Sequence, residues 1–153
     1  MDVVPFSWET ILAELIDVLR LVFAAFLGGV IGLERQQRHK SAGLRTHILV
    51  SLGSCLVMVI SVKIYTGVQG LTNADPARLA AQVVSGIGFL GAGTIMKEGL
   101  TIKGLTTAAS LWVVAGVGLA VGGGYYVGAV ATTVLSVLAL TYLPRYERLY
   151  GCG

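Results

Sequence analysis

Ala77-Arg-Leu-Ala-Ala-Gln-Val-Val-Ser-Gly-Ile-Gly-Phe-Leu-Gly-Ala-Gly-Thr-Ile-Met96 is an apolar run of the length needed to cross a bilayer as a helix, yet it carries four glycines between Ser85 and Gly93. Glycine is a poor helix former in water because it loses the most backbone entropy on ordering. Four of them in such a segment therefore call for a reason. Two readings stay open: small residues that let helices approach closely within a membrane, or bent, exposed backbone that lines a site.

The rest of the chain settles the environment. Of its 153 residues 55% are hydrophobic and 12% charged, about half the charge of an ordinary globular domain (~25%). The mean hydropathy is +0.80. The pattern predicts an all-α membrane protein with five transmembrane helices, at about Ile16–Leu33, Arg45–Ile64, Ala77–Met96, Leu105–Val121 and Tyr125–Leu143. Residues 1–15 read as an outer lead-in, with Pro5, Phe6 and Trp8 suited to the interface. Residues 16–143 form the membrane domain and 144–153 a cytoplasmic tail. The first block has acids at its start and no basic leader, so a cleaved signal peptide is not expected.

Charge orients the spans. Arg35, Arg38, Lys40, Arg45, Lys97, Lys103, Arg145 and Arg148 all fall on one side, which is eight of the eleven basic residues. The opposite side carries Lys63 and Arg78 with Asp2, Glu9, Glu14, Asp17 and Asp75. The positive-inside rule then puts the N-terminus outside and the C-terminus inside. This accounts for the net charge of +3 through topology, and nucleic acid is not expected as a partner. Cys55 and Cys152 lie in a span and in the tail, a placement that predicts neither a disulfide nor a metal site.

Phe26-Leu-Gly-Gly leads to Gly43-Leu-Arg-Thr46 as Phe89-Leu-Gly-Ala leads to Gly104-Leu-Thr-Thr107, at nearly equal intervals. The spacing predicts a tandem parallel repeat, helices 1–2 and 3–4, with a fifth helix added. Gly28 and Gly32, with Gly86, Gly88, Gly91 and Gly93, are the candidate helix-packing residues, and Gly118/Gly122 form another pair at helical spacing. Asp75 is the expected N-cap of the third helix and Pro76 its first residue.

The candidate functional polar residues are Arg20, Glu34, Arg35, Arg45, Asp75, Arg78 and Gln82. Arg20 lies within a span, where an arginine costs roughly 2.5–3.5 kcal/mol on insertion scales. It is expected to pair with Asp17, face the bundle interior or reach outward. Arg78 opposes the dipole of its own helix, with Asp75 as a local partner, and these four charges could form one outer cluster. Glu34 does nothing for orientation and is expected to pair with Arg45 across the first connection. His39 and His47 are weak candidates for acid sensing. No serine or histidine stands in a nucleophile–base arrangement, so no enzyme activity and no cofactor are expected.

Gly28-Gly-Val-Ile-Gly-Leu-Glu-Arg35, Gly43-Leu-Arg-Thr46, Asp75-Pro-Ala-Arg78, Ala80–Gly93, Gly104-Leu-Thr-Thr-Ala-Ala109 and Leu111-Trp112 together resemble the MgtC/SapB membrane-protein family over roughly residues 16–143. The resemblance implies a multi-pass protein of the bacterial inner membrane, linked to magnesium limitation, acid stress and, in pathogens, survival in phagocytes. It implies regulatory or accessory action on another membrane complex, such as the ATP synthase or a magnesium transporter. Ending at Gly153, the chain is similar to the short SapB- or YhiD-like members that lack a soluble C-terminal domain. The expected function is therefore non-enzymatic, exerted through helix contacts with membrane lipid, a second copy or another complex. The alternative is a cation, even magnesium, transporter or channel.

Overall fold

The computed structural model describes residues 8–69, 75 and 77–150. They form five helices, α1 Trp8–Gln37, α2 Leu44–Val68, α3 Ala77–Thr94, α4 Leu105–Gly122 and α5 Tyr126–Tyr150, with a two-stranded hairpin, β1 Met96–Glu98 and β2 Thr101–Lys103, between α3 and α4. Four of the helices, all but α3, are long and apolar enough to cross a membrane. Arg78, Gln82 and four glycines keep α3 below that measure.

The helix ends correct the sequence reading. α1 starts at Trp8, inside what reads as the lead-in, while Pro5 and Phe6 lie outside the described residues. α5 runs past Leu143 and through Pro144 into the supposed tail. α3 stops at Thr94 because Met96 begins a strand. The antiparallel hairpin pairs Glu98 with Thr101 across the two-residue loop Gly99-Leu100. Gly99 has a φ of +62°, the conformation that tight hairpin loops demand at this position.

α4 is the hub, in contact with α1, α2, α3 and α5. Its packing on α2 rests on Gly118 and Gly122. A Cβ at Gly118 would come within 2.2 Å of the Ser51 carbonyl oxygen, and one at Gly122 within 2.6 Å of the Cys55 carbonyl. α1 approaches α2 in the same manner: Cβ atoms at Gly28 and Gly32 would lie 2.7 Å from Ser51 Cβ and 2.8 Å from Leu44 Cα. α2 is thus clamped between a glycine pair of α1 and one of α4, each spaced one turn apart. Ala24, Leu27, Cys55, Val59, Val117, Val121 and Ala129 fill the core beside this clamp.

Buried polar groups close the same seam. Ser51 donates to the Ala24 carbonyl at 2.8 Å, joining α2 to α1. His47, fully buried, places Nδ1 2.9 Å from the Gly43 carbonyl and Nε2 3.0 Å from Ser110 Oγ of α4. A carbonyl can only accept, so the proton sits on Nδ1 and Nε2 is left to accept from the Ser110 hydroxyl. Ser110 Oγ also donates to the Thr107 carbonyl at 2.8 Å, so this carbonyl and His47 Nε2 compete for its single proton. Ser110→Ala should strand His47 Nε2 and cost about 1–3 kcal/mol, read as a lower unfolding midpoint in detergent micelles.

Both connections at this end finish on glycine N-caps, Gly43 for α2 and Gly104 for α4. Gly104 has a φ of +92°, and a Cβ there would meet the Thr94 carbonyl. Asp75 Oδ1 accepts from the Ala77 backbone N–H at 2.8 Å, as expected of the α3 N-cap, while Pro76 lies outside the described residues. Asp75→Ala should loosen the first turn of α3 by about 0.5–2 kcal/mol, seen as faster amide exchange at residues 78–81 with the rest of the bundle unchanged.

Candidate functional site

Neighbouring ends show that the five helices alternate in direction. The C-terminal part of α1, the start of α4 and the end of α5 line one cavity. The end of α2 and the start of α3 line another, and Arg20 reaches the end of α4 and the start of α5. Polar candidates collect at the two ends of the bundle.

At one end Glu34 is the centre of an ion triad. Arg35 Nε lies 2.6 Å from Glu34 Oε2 and Arg38 Nε 2.5 Å from Oε1. Arg35 is only 2% exposed, and Arg38 donates from Nη2 to the Thr141 carbonyl of α5 at 3.0 Å. The expected Glu34–Arg45 pair is not formed: Arg45 is exposed, and both carboxylate oxygens of Glu34 face arginines of its own helix. One turn of α1 brings Arg38 under Glu34 at i, i+4, a shorter route than crossing the connection.

At the opposite end Asp17 is shared. Arg20 Nη1 lies 3.5 Å from Oδ1, and Lys63 Nζ of α2 lies 2.6 Å from Oδ2. Arg20 also donates from Nε to the Tyr126 hydroxyl at 3.0 Å and from Nη1 to the Gly122 carbonyl at 3.4 Å. A cation on the last carbonyls of α4 complements that helix's dipole. Of the options for Arg20, pairing with Asp17 and an inward reach are both realised. Lys63 is the partner that sequence reading missed; its signal is a lone cation at the same depth as Asp17.

Asp75 and Arg78 do not join that cluster. With Ser61, Tyr65 and Gln82 they line a separate cavity of about 320 Å³ between α2 and α3. Asp75, Arg78 and Gln82 are exposed.

The glycines divide into two sets. Gly28 and Gly32 are buried against α2, and a Cβ at Gly91 would sit 3.6 Å from Ala108 Cβ of α4. Gly86, Gly88 and Gly93 have nothing within 4 Å of where a Cβ would stand, and Phe89 beside them is 84% exposed. Among the described residues, then, three of the four α3 glycines meet no other helix.

These features define a multi-helix membrane protein whose charges are gathered at the two ends of a glycine-packed bundle. Residues 21–149 match the MgtC family, and the chain belongs to that family. It is 46% identical over 125 residues to YhiD of Escherichia coli (strain K12), a candidate magnesium transporter by its name; the match covers 80% of this chain and 58% of the relative. It is 48% identical to protein slr0014 of Synechocystis, covering 80% of this chain and 50% of that one. Protein MgtC of Salmonella typhimurium is 46% identical over 123 residues, again 80% of this chain and 50% of the relative. The chain thus spans about half the length of the curated relatives it matches. No solved structure matches it.

Proposed function

We propose that the protein is a non-enzymatic accessory or regulatory component of the bacterial inner membrane, linked to magnesium limitation, acid stress or membrane energetics, and that α3 is its contact surface. The carrying observation is the exposed outer side of α3, bordered by Gly86 and Gly93 along one edge and by Gly88 along the other, each with nothing within 4 Å of where a Cβ would stand. Small residues facing lipid gain nothing from lipid, but they let a partner helix approach closely enough for backbone and side-chain packing. α3 is also the helix least suited to lie alone in hydrocarbon, which favours a second copy or another membrane complex, such as a magnesium transporter or the ATP synthase, against it. The names of YhiD and MgtC support the magnesium connection.

On this reading all five helices cross. The 18 residues of α3 give about 27 Å of helix, near the ~30 Å of a hydrocarbon core, and the helices alternate. The end that carries Arg35, Arg38, Lys40, Arg45, Lys97 and Lys103 faces the cytoplasm, with the N-terminus outside. The tandem repeat is supported by equivalent glycine contacts. Gly28 packs over His47 and Gly91 over Ala108, positions that correspond when the N-caps Gly43 and Gly104 are aligned.

The test is recovery of partners and self-association from native membranes with Gly88→Leu and Gly93→Leu. Both positions are open, so the fold should survive and the contacts should be lost. Unchanged association and unchanged partner recovery would sink the reading.

A second reading, a cation path, is favoured by the cavity between α2 and α3, where Ser61, Tyr65, Asp75 and Gln82 offer oxygen atoms. Divalent cations take oxygen ligands. Arg78 in the same cavity opposes it, and the carboxylates of Asp17 and Glu34 are already held by cations. Magnesium flux into proteoliposomes that disappears in Asp75→Asn would raise this reading above the first.

A further inference from the structure

The cavity at the Glu34 end has a volume of about 590 Å³, and its lining includes Arg35, Arg38, Lys40 and Thr106 on one part and Leu140 and Leu143 of α5 on another. Three cations converge on it. Among the described residues one carboxylate meets them, Glu34, whose two oxygens are engaged by Arg35 Nε and Arg38 Nε. Two positive charges are left over. Arg35 is 2% exposed, and its Nη1 is buried with no hydrogen-bond partner among the described residues. A buried guanidinium nitrogen in that state is unfavourable unless something accepts from it.

We propose that this cavity binds a phosphate group, with Arg35 Nη1 and the Lys40 ammonium as its principal donors and the Thr106 hydroxyl as a third. The charge balance fits: a phosphate diester or monoester supplies one to two negative charges against the surplus of two. The guanidinium fork matches two phosphate oxygens at once, which a simple point charge does not. Arg38, tied to the Thr141 carbonyl, holds the end of α1 against α5 and keeps the site formed. Glu34 fixes Arg35 through Nε. Ala139, Leu140 and Leu143 give the cavity an apolar wall that suits the glycerol and acyl part of a lipid. The same chemistry receives either an anionic lipid headgroup or a soluble phosphate ester. The inference does not depend on what α3 contacts.

Two arms separate the sources. In the first, the full chain is reconstituted in nanodiscs of phosphatidylcholine with a minor share of phosphatidylglycerol, then stripped with detergent, and retained lipid is read by native mass spectrometry. In the second, inorganic phosphate and glycerol 3-phosphate are titrated calorimetrically into protein held in uncharged micelles. Binding is expected in at least one arm, weakened about tenfold by Lys40→Gln or Thr106→Val, the loss of roughly one charge-assisted or neutral hydrogen bond. Arg45→Gln, which removes the same charge at an exposed position outside the cavity, should leave it unchanged. Retention of phosphatidylglycerol alone identifies a lipid site; calorimetric binding identifies a soluble phosphate site. The proposal is overturned if neither arm shows binding, or if Arg45→Gln weakens it as much as Lys40→Gln does, since that would be a general effect of surface charge.

Discussion

Gly118→Leu should yield a protein that inserts but does not assemble its bundle, and Gly118→Ala should already be strongly destabilised. The Cβ of an alanine at this position would lie 2.2 Å from the Ser51 carbonyl oxygen, 2.9 Å from Ser54 Cβ and 3.0 Å from the Ser51 carbonyl carbon. The nearest obstacle is backbone inside a helix, so it cannot swing aside like a side chain. α2 and α4 must separate, and the separation also lengthens the His47–Ser110 contact. Overpacking a tight core costs about 1–3 kcal/mol per added group, and Gly118→Ala belongs at the top of that range or above it. Gly116→Ala, two residues away on the same helix, is the control. It has nothing within 4 Å of the new methyl group, and should be neutral. Unfolding by sodium dodecyl sulfate from mild micelles measures both, and a Gly118→Ala midpoint equal to that of Gly116→Ala would show that the two helices are not in this contact.

Glu34→Ala carries the second large effect. It removes the carboxylate that, among the described residues, pairs with Arg35 and Arg38, and leaves a guanidinium that is 2% exposed without that counter-ion. Removing one partner of a buried ion pair costs about 3–5 kcal/mol, whereas replacing both by apolar groups can be nearly neutral. Glu34→Ala should therefore fall well below wild type, and the double variant Glu34→Ala/Arg35→Leu should recover part of the loss. Arg45→Ala, at the position the sequence pairs with Glu34, should change stability by less than about 0.5 kcal/mol, as expected of an exposed charge. An additive double variant would mean that Glu34 and Arg35 act independently.

What the sequence discloses here follows from the range of the interactions. The apolar blocks, the glycine pairs at 28/32 and 118/122 and the Asp75 cap are local patterns, and the bundle uses them as read. Helix ends are less legible because apolar content marks the part of a helix fit for hydrocarbon, while Glu9 and Glu14 at the start of α1 and Pro144 in α5 are compatible with helix beyond it. The hairpin at 96–103 is hidden because three-residue strands are too short to show alternation. Ion partners are the least legible. Several cations are in reach of each acid, and depth decides among them: Lys63 of α2 reaches Asp17, and Arg38, one turn away, displaces Arg45 at Glu34.

The clamp on α2 has a consequence for the order of events at the ribosome. Its bond to α1 closes over 27 residues, Ala24 to Ser51, but its bond to α4 closes over 63, His47 to Ser110. At about 5–20 residues per second, α2 waits on the order of 3–11 s between its last residue, Val68, and the last residue of α4, Gly122, before His47, Ser54 and Cys55 are covered. During that interval α1 shields one flank only, and α3 emerges before α4 does. When α4 arrives, its Gly118 and Gly122 seat it against the α2 backbone more closely than any glycine of α3 does.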